Sequence, residues 1–490
     1  MVAFVPPAND EDAVLIPMSP MDAVMNTYRI VILYIYPPPE SNASAYNLGK
    51  LQRSFISLVD GDYPVLIGSL HIDEKTRAVS VKQTSEQRKQ GGDGIRFETN
   101  VSSAQSTDDA INSLSWEFMP KTRTGGEIIA VKGSLLADGG MAIGVDCSHV
   151  LYDGEAMLTF MKAWGQHYSR VSSVDRLIIS HDRHLLSGVG ETCRLPHPEF
   201  QIAPAEPLVR REDGSLAPKA AATPPKTAQH VFHLSPSTMA KLKKAAESKT
   251  STDKKHRSHR KRDRLLEKLL SVFQSKHKKV VQGRAVAQAS YVSTVDAITA
   301  LLTILISRAR GHGQDVQVST AVNGRTRLEP PLPDNYAGNA VFHAISSYTN
   351  KELLNGTDVN VGVSASTLSR VARGIRSSIL KRDNAFMRDT IAFLSNQEDL
   401  STVNDNVNFF CGPDVAFTCW AKMGLYDAAF GGTRPWYASV PRVQCLDGFV
   451  LITEAIKGRE GLDVLVCLEN TTMQKFMALC SDFEYLQDQA

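Results

Sequence analysis

The chain is organised around the stretch Met141-Ala-Ile-Gly-Val-Asp-Cys-Ser-His149-Val-Leu-Tyr-Asp153-Gly154-Glu155. Its apolar first half predicts a strand that runs into the histidine, and the residues after Gly154 predict an amphipathic helix. A histidine at the end of a strand is held by backbone on one side and can face a cavity on the other. Because imidazole exchanges a proton near neutral pH, His149 is a candidate general base. The spacing alone fits a partly buried structural histidine with a capping aspartate equally well.

Length and composition describe a large, soluble, globular protein. The 490 residues are enough for two or three domains, and 42% of them are hydrophobic. The 54 basic and 52 acidic residues nearly balance, which disfavours a nucleic-acid partner. The longest apolar run, from Ile30 to Tyr36, is too short to span a bilayer, and the N-terminus lacks the features of a secretory signal. We therefore expect a cytoplasmic protein without a membrane span.

The cysteines favour a reducing compartment. They are odd in number and form no CxxC pair, which argues against a disulfide framework and against a zinc cluster. They occupy positions 147, 193, 411, 419, 445, 467 and 480. This pattern leads us to expect no metal site.

Two stretches interrupt the regular pattern of the chain. Proline recurs between 196 and 226 with little apolar periodicity, which predicts a crossover linker between a domain at 1–195 and a domain at 227–490. Residues 248–283 are strongly basic and predict a solvated, disordered insertion; the alternatives are a nucleic-acid patch, an anionic-membrane patch or a localisation signal. Elsewhere helices alternate irregularly with strands that often form hairpins, so we expect an α/β architecture with mixed sheets.

Several segments, taken in order, resemble one known family. Ser148-His149-Val-Leu-Tyr-Asp153-Gly154 matches the HxxxDG signature of the plant and fungal coenzyme A-dependent acyltransferases called the BAHD family. The segments that begin at Ser293, Val322 and Tyr336 resemble the central segments of that family in order and spacing. The signature alone is a weak signal, but the ordered set of segments is specific.

The C-terminal third and the start of the chain extend the resemblance. Thr418-Cys-Trp420 and Tyr426-Asp-Ala-Ala-Phe430-Gly-Gly-Thr-Arg-Pro435 look like the family's (T)SW…DFGWGKP region, and Ser19-Pro-Met-Asp22 also fits. The resemblance therefore covers nearly the whole chain outside the basic segment. Within the family it is nearest to the fungal branch that is similar to trichothecene O-acetyltransferases.

The DFGWG region departs from the family pattern at three positions. Ala429 stands at the aspartate position, Gly432 at the tryptophan position and Thr433 at the second glycine position. In the family this aspartate is thought to make a structural ion pair with an arginine. We therefore expect that ion pair to be lost here without a direct effect on catalysis. Asp427 could replace the missing carboxylate only if the loop shifted its register.

The resemblance implies two similar chloramphenicol-acetyltransferase-like domains with mixed sheets and a channel between them. It implies a coenzyme A-dependent O-acyltransferase in which His149 acts as the general base of a ternary complex. The expected donor is acetyl-coenzyme A, which is a co-substrate and not a permanently bound cofactor. The expected acceptor is a hydroxyl of a small specialised metabolite, such as a terpenoid, an alkaloid or a polyketide, with an amine as the less favoured acceptor. We expect a monomer.

The resemblance also assigns roles around the histidine. Asp153 is expected to pair with an arginine, either Arg325 or Arg327, and not to orient His149. The indole N–H of Trp420 is a donor that could face the oxyanion, although a buried core tryptophan fits the sequence nearly as well.

Three further sets of residues complete the predicted site. Gly154 lets the backbone turn closely beside the histidine. Ser293 and Thr294, at the N-terminus of a predicted helix, are expected to meet coenzyme A. A thiol nucleophile at Cys147 is not expected, because nothing marks that residue as exposed or electropositive. The substrate channel is expected to be lined by Thr418, Phe430, Gly431 and Arg434.

Two other functions are compatible with parts of the sequence. A condensation-type domain shares the two-lobed fold and an HHxxxDG signature, but Ser148 replaces the first histidine here. A non-catalytic relative that binds a metabolite, or that uses the basic segment as an interaction arm, would account for Ala429. The intact His149, Asp153 and Trp420 argue against this second alternative.

Overall fold

The computed structural model describes residues 12–40, 44–124, 126–203, 208–210, 216–218, 226–247, 291–354, 362–408, 412–442 and 446–481. The basic segment 248–283 lies outside these ranges, and so does most of the crossover linker between 204 and 225. The structure therefore does not test the prediction that the basic segment is disordered.

The described residues form strands and helices in irregular alternation. The strands are β1 (Val14–Pro17), β2 (Arg29–Tyr36), β3 (Ser69–Ile72), β4 (Val79–Gln83), β5 (Phe97–Asn100), β6 (Ile129–Leu135), β7 (Met141–Ser148), β8 (Phe200–Ile202), β9 (Leu208–Arg210), β10 (Leu216–Pro218), β11 (Thr227–Leu234), β12 (Val316–Asn323), β13 (Val341–Tyr348), β14 (Val403–Asp405), β15 (Val415–Cys419), β16 (Tyr437–Ser439), β17 (Phe449–Glu454) and β18 (Leu462–Glu469). The helices are α1 (Pro20–Ala23), α2 (Leu48–Asp62), α3 (Ser85–Gln90), α4 (Thr107–Ser113), α5 (Gly154–Tyr168), α6 (Pro236–Ala246), α7 (Thr294–Arg310), α8 (Asn350–Leu354), α9 (Ala365–Leu380), α10 (Asn384–Ser395) and α11 (Asn470–Ser481).

The first large sheet has the strand order β16-β2-β7-β6-β5. It is antiparallel except for the parallel pair β5–β6. β2 and β7 lie at its centre because both are apolar over most of their length and almost every side chain in them is buried. Helices α2 and α5 share its core, where the rings of Phe55 and Trp164 lie 5.3 Å apart. Full burial of each such side chain contributes about 1.5–3 kcal/mol.

The second large sheet has the strand order β11-β18-β17-β15-β12-β13. It contains the parallel pairs β12–β15 and β15–β17, so both sheets are mixed, as predicted. Helix α7 is mostly apolar and is buried along almost its whole length in the second core, next to α9. The sheet face that points away from this core carries the polar side chains Ser319, His343 and Thr418 on β12, β13 and β15. Of these, His343 and Thr418 are only half-buried.

One segment of the C-terminal half packs with the first sheet. β16 pairs with β2, and the Tyr36 hydroxyl donates a hydrogen bond to the Ala428 carbonyl at 2.9 Å. Six apolar side chains of this segment are buried in the first core: Leu425, Ala428, Phe430, Tyr437, Ala438 and Val440. The division that assigned all of 227–490 to the second lobe therefore needs a correction for this segment. A short strand flanked by apolar residues can pair with any unpaired edge strand of either sheet. Its position in the sequence does not reveal which edge strand that is.

Helix α10 was not predicted from the sequence. In the structure Asp383 caps this helix by accepting a hydrogen bond from the Phe386 backbone at 3.0 Å. Helix α2 continues through Gly61 to Asp62.

Candidate active site

His149 follows directly on the last residue of β7. Its backbone N–H donates to the Tyr28 carbonyl at 3.1 Å, just beyond the last β2–β7 pair, Arg29 with Ser148. The antiparallel register at the centre of the first sheet therefore sets the position of the histidine. Its side chain is half-buried at the edge of this core.

The amide of Asn339 holds the imidazole ring. Asn339 Nδ2 donates to Asp22 Oδ1 at 2.9 Å and to the His149 carbonyl at 2.8 Å. These two acceptors turn the amide so that its oxygen lies 3.0 Å from His149 Nδ1. An amide oxygen only accepts, so Nδ1 carries the proton and Nε2 is left with its lone pair. The side chain thus has the tautomer that a general base needs.

A buried ion pair stands behind the amide. Asp22 is fully buried, and it also accepts from the backbone N–H of Asn339 at 2.8 Å. Its charge is compensated by the Arg183 guanidinium at 3.0 Å and by the hydroxyl of Ser19 at 2.6 Å. The chain of contacts from Arg183 to His149 was not identified from the sequence. Two segments of the family resemblance, ending at Asp22 and Asn339, were the available signal.

Asp153 stabilises the start of helix α5 and does not orient the imidazole of His149. It caps α5 by accepting from the Ala156 N–H at 3.0 Å, and it accepts from the Ala340 N–H at 2.9 Å. Arg325 forms a two-pronged ion pair with both carboxylate oxygens, at 2.8 and 2.9 Å. Arg327 lies elsewhere and donates to the carbonyls of Ile379 and Arg382. Of the two arginines considered, the structure brings Arg325 and not Arg327 to Asp153.

The pKa values of His149 and Asp153 are both lowered, but by different causes. Burial lowers the pKa of His149, and the nearby Asp153 carboxylate and the Asn339 hydrogen bond oppose this effect only in part. Burial alone would raise the pKa of Asp153, but the Arg325 charge and its hydrogen bonds bring it below the usual range. At neutral pH the site therefore holds an uncharged imidazole beside a charged carboxylate that is fully paired.

Trp420 lies against the first residue of helix α5. It follows β15 directly, and its backbone N–H donates to the Ile452 carbonyl at 2.8 Å. A Cβ atom added to Gly154 would lie 2.5 Å from Trp420 Nε1, so only glycine allows the indole to pack this closely. Within the part of the chain that the structure describes, Nε1 has no hydrogen-bond partner. Thr418 lies two residues earlier on the same face of the strand, and it is half-buried.

Comparison with known proteins identifies this arrangement. A profile of the Transferase family matches residues 3–483. The chain belongs to this family, the BAHD acyltransferases. It is therefore an acyltransferase that depends on acyl-coenzyme A and acts on small metabolites.

Individual relatives and structures agree with the family. A hydroxycinnamoyltransferase from Narcissus pseudonarcissus is 24% identical over 94% of this chain and 94% of its own length. The crystal structure of F. graminearum TRI101 with coenzyme A and deoxynivalenol covers 95% of this chain and 97% of its own, with a TM-score of 0.67 and 16% identity. Vinorine synthase covers 96% of this chain and 97% of its own, with a TM-score of 0.60 and 17% identity. The expected two-domain α/β fold is thereby confirmed.

The DFGWG-like loop of this BAHD chain lies at the far end of helix α5. The Gly431 N–H donates to the Ser169 hydroxyl, which follows the last residue of the helix, at 3.1 Å. Since α5 has 15 residues, it separates this loop from Gly154 by about 22 Å. This loop therefore does not adjoin the start of helix α5, and the fully buried Phe430 does not fit the predicted channel lining. For Gly431 and Arg434 the channel lining stays a prediction.

Packing explains the position of each residue in that loop. Phe430 is fully buried among the rings of Tyr36, Trp164 and Tyr168. Arg434 is exposed and pairs with Asp427 at 3.4 Å. Asp427 also lies 4.0 Å from the exposed Lys162, so its charge remains at the surface and does not replace a buried ion pair.

The backbone of Ala429 packs directly on helix α5. A Cβ atom added to Gly165 would lie 2.4 Å from the Ala429 carbonyl oxygen. The contact is made by backbone, so it does not depend on an aspartate at this position. The change at Ala429 is therefore compatible with an intact site around His149.

Ser293 closes the N-terminus of helix α7 with a capping box. Its hydroxyl accepts from the Asp296 N–H at 3.1 Å, and the Asp296 carboxylate accepts from the Ser293 N–H at 2.7 Å. Arg376 then pairs with Asp296 at 2.6 Å. Thr294 is the first residue of the helix and is half-buried.

None of the helices in the described part of the chain combines the length and the apolar character that a membrane span requires.

Proposed function

We propose that this enzyme transfers an acyl group, with acetyl as the expected one, from acyl-coenzyme A to a hydroxyl of a small specialised metabolite. His149 is the general base, and both substrates are bound together. The observation that carries the proposal is the hydrogen bond between His149 Nδ1 and Asn339 Oδ1, at 3.0 Å, which leaves Nε2 free to accept a proton. We further propose that the enzyme works as a cytoplasmic monomer.

The proposed reaction needs one proton carrier and no covalent enzyme intermediate. The acceptor hydroxyl gives its proton to His149 Nε2 as its oxygen attacks the thioester carbonyl carbon, and a tetrahedral oxyanion forms. The oxyanion then collapses, the carbon–sulfur bond breaks, and the thiolate of coenzyme A takes the proton back from Nε2. General base catalysis of this kind contributes about 10²–10⁴-fold, and holding both substrates together lowers the barrier further.

The proposed role of Trp420 is to donate its indole N–H to the oxyanion. Its position against Gly154, with Nε1 unpaired among the described residues, supports this role. A donor that is fixed in advance needs little reorganisation when charge develops on the substrate oxygen.

A thiol mechanism at Cys147 receives no support. The side chain is fully buried, and burial raises the pKa of its thiol far above the ordinary value. The thiol donates to the carbonyl of Ser148. A buried thiol in this protonation state is a poor nucleophile for a thioester.

Coenzyme A is proposed to bind near the start of helix α7. Ser293 and Thr294 remain the proposed contacts, since the N-terminus of a helix favours negatively charged groups. Lys243 and Arg376 both lie over the Tyr291 ring just before this helix, at 5.2 and 5.5 Å from its centroid, and add positive charge. The hydroxyl of Ser293 is already used in the capping box, so Thr294 is the freer of the two side chains.

The acceptor is proposed to lie along the polar face of β12, β13 and β15. Ser319 and His343 are joined by a hydrogen bond of 3.1 Å on this face, and Thr418 lies on the neighbouring strand. His343 is close enough to His149 for its charge to lower the pKa of that residue. Relatives of this chain include N-hydroxycinnamoyltransferases as well as hydroxycinnamoyltransferases named without a bond type, so amines belong in any test of acceptors.

The test follows the release of free thiol from acetyl-, malonyl- and longer acyl-coenzyme A in the presence of a panel of alcohols and amines. The wild-type enzyme is expected to release thiol with at least one pair. His149→Ala is expected to lose about 10²–10⁴-fold in kcat with an unchanged circular dichroism spectrum. His184→Ala, which removes an exposed histidine, is the matched control. Near-normal turnover by the His149 variant would contradict the mechanism.

A further inference from the structure

Three ligand-type side chains converge where the chain leaves the first lobe. Cys193 and His197 lie in the loop that crosses helix α10, and Asp389 lies on that helix. Asp389 Oδ2 is 3.4 Å from Cys193 Sγ and 3.0 Å from His197 Nε2. One ligand atom from each residue lies within 4.8 Å of the other two. None of the three residues takes part in the site around His149.

The imidazole of His197 is held in one orientation. Its Nδ1 lies 2.9 Å from Glu199 Oε1, and the Glu199 side chain is almost completely buried. The ring also packs between Phe386 and Phe393, with ring centroids 5.1 and 4.9 Å away. A buried carboxylate on one ring nitrogen, with the other nitrogen aimed at sulfur and oxygen donors, is the typical second shell of a metal-binding histidine.

We propose that Cys193, His197 and Asp389 bind a zinc ion. Thiolate sulfur, imidazole nitrogen and carboxylate oxygen are the donors that zinc prefers, at about 2.0–2.3 Å from the metal. Asp389 Oδ2 already lies close to both the sulfur and the nitrogen, at 3.4 and 3.0 Å, so one ion can be shared by the three groups. Cys193 and Asp389 are partly exposed beside a groove lined by Glu191, Arg194 and Arg388, whereas the His197 side chain is buried. Solvent in this groove would supply the fourth ligand.

The charges of the proposed site balance. The Cys193 thiolate and the Asp389 carboxylate neutralise one Zn²⁺, while neutral His197 keeps a proton on Nδ1 for Glu199. Glu199 has its own counter-charge in Arg382, at 3.9 Å. Binding therefore displaces the thiol proton of Cys193 and the second proton of His197 into solvent.

Hydrogen bonds from a protonated Cys193 and a protonated His197 would explain the same geometry without a metal ion. Without an ion, the Cys193 thiol donates to Asp389, and a doubly protonated His197 lies between Asp389 and Glu199. Although burial lowers the pKa of His197, those two carboxylates raise it above the ordinary value. Asp389 also accepts the backbone N–H groups of Arg194 and Leu195, at 2.9 and 2.8 Å. Direct metal binding is the measurement that separates the two accounts.

Zinc here would fasten the outgoing chain to helix α10 while its fourth position stays open to solvent. This role is independent of the acyl-transfer proposal, and the site was not expected from the cysteine pattern. Cys193 and His197 are close in sequence, but Asp389 lies 192 residues after His197, so no spacing rule joins them.

The experiment uses the full-length protein, freed of metal with a chelator and then titrated with Zn²⁺ and Co²⁺. We expect one ion per chain to be lost on substitution of Cys193, with a sulfur-to-cobalt charge-transfer band and tetrahedral d–d bands in the wild type. Asp389→Asn is expected to weaken Zn²⁺ binding by at least about tenfold. Cys419→Ala, a half-buried cysteine outside the cluster, is the matched control and should bind like the wild type.

Thermal unfolding gives a second readout that does not depend on activity. Zn²⁺ is expected to raise the melting temperature of the wild type by several degrees and to leave that of Cys193→Ala unchanged, because a ligand that binds only the folded state stabilises it. The proposal is overturned if the wild type binds no ion at this stoichiometry. It is equally overturned if Cys193→Ala binds Zn²⁺ as tightly as the wild type does.

Discussion

An amide, and not a carboxylate, orients the candidate catalytic histidine. In a Ser-His-Asp triad the aspartate stabilises the imidazolium and raises the basicity of the ring. Asn339 fixes the same tautomer through its 3.0 Å contact with Nδ1 but carries no charge. The carboxylate of Asp22 lies one hydrogen bond further away and is already paired with Arg183. His149 is thereby kept as a neutral base that holds a proton only briefly.

The first prediction concerns this amide. Asn339→Ala removes the acceptor on His149 Nδ1, so the ring can adopt the wrong tautomer or rotate. We expect kcat to fall by about 10–100-fold, with little change in KM for acyl-coenzyme A. Because this hydrogen bond raises the pKa of His149, its loss lowers that pKa, and the acidic limb of the pH profile should also move to lower pH.

Asn396→Ala is the matched control, since its amide makes a single hydrogen bond to the Glu191 carbonyl outside the site. It should leave both kcat and the pH profile unchanged. A fall in kcat for Asn339→Ala without any shift of the acidic limb would mean that the residue supports the fold only.

The pH dependence of the wild type gives the second prediction. The general base must be unprotonated, and burial lowers the pKa of His149 below about 6.5, its ordinary value. Activity should therefore be retained as pH falls through 6.5 and should be lost only at a lower pH. Measurement of kcat/KM between pH 4.5 and 8 tests this, and a half-maximal rate at or above about pH 6.5 would contradict it.

At the scale of elements, one ion pair joins the start of helix α5 to the turn after β12. Asp153 caps α5, and Arg325 ties that cap to the second lobe through two short hydrogen bonds and through the carbonyl of Gly338 at 2.8 Å. Both side chains are buried, so neither charge is stable without the other. The pair therefore sets the geometry of the helix that begins beside Trp420.

The third prediction compares two nearby arginines. Arg325→Ala leaves the Asp153 carboxylate buried and unpaired, and we expect a loss of about 3–5 kcal/mol in the free energy of unfolding. Arg327→Ala removes only hydrogen bonds to backbone carbonyls, and we expect a much smaller loss. Urea unfolding at pH 7 measures both. Equal losses would rule out a special role for the pair.

The pH dependence of this stabilisation has a definite sign. The folded-state pKa of Asp153 lies below its unfolded value, so the ion pair contributes its full stability above the unfolded value of about 3.9. The contribution is lost as pH falls through the lower, folded-state pKa. In Arg325→Ala, burial is no longer opposed by the guanidinium and raises the pKa of Asp153, so the variant regains stability when this carboxylate is protonated. The difference in the free energy of unfolding between wild type and Arg325→Ala should therefore be largest at pH 7 and narrow as pH falls.

At the scale of the whole molecule, local patterns were predictable and distant pairings were not. The β6–β7 hairpin and the capping box at Ser19 follow from residues a few positions apart, and both are present. The contact between His149 and Asn339 joins residues 190 positions apart, and no periodicity encodes it. Phe430 was predicted to line the substrate channel because the DFGWG-like region was interpreted as part of the substrate site. Its burial in the first core depends on how a segment near the C-terminus docks on β2.

The basic segment gives the last prediction, because the described residues on either side of it lie together. Helix α6 ends at Ala246, and Lys243 in its last turn contacts the ring of Tyr291, where the described chain resumes. A short linker can therefore join the two ends at a small cost in loop-closure entropy. We expect replacement of residues 249–283 by a Gly/Ser linker to leave the melting temperature and the release of free thiol unchanged.

A second variant separates the charge of this segment from its length. In it, the basic residues between 254 and 262 are replaced by Gln or Ser in a chain of natural length. If the segment lies outside the catalytic machinery, both variants should match the wild type in kcat and in KM for acyl-coenzyme A. A raised KM for acyl-coenzyme A in both, at an unchanged melting temperature, would instead assign the positive charge to the binding of the coenzyme A phosphates. A loss in the shortened chain alone would point to the length of the connection between α6 and α7, and the charge would then have no part in the reaction.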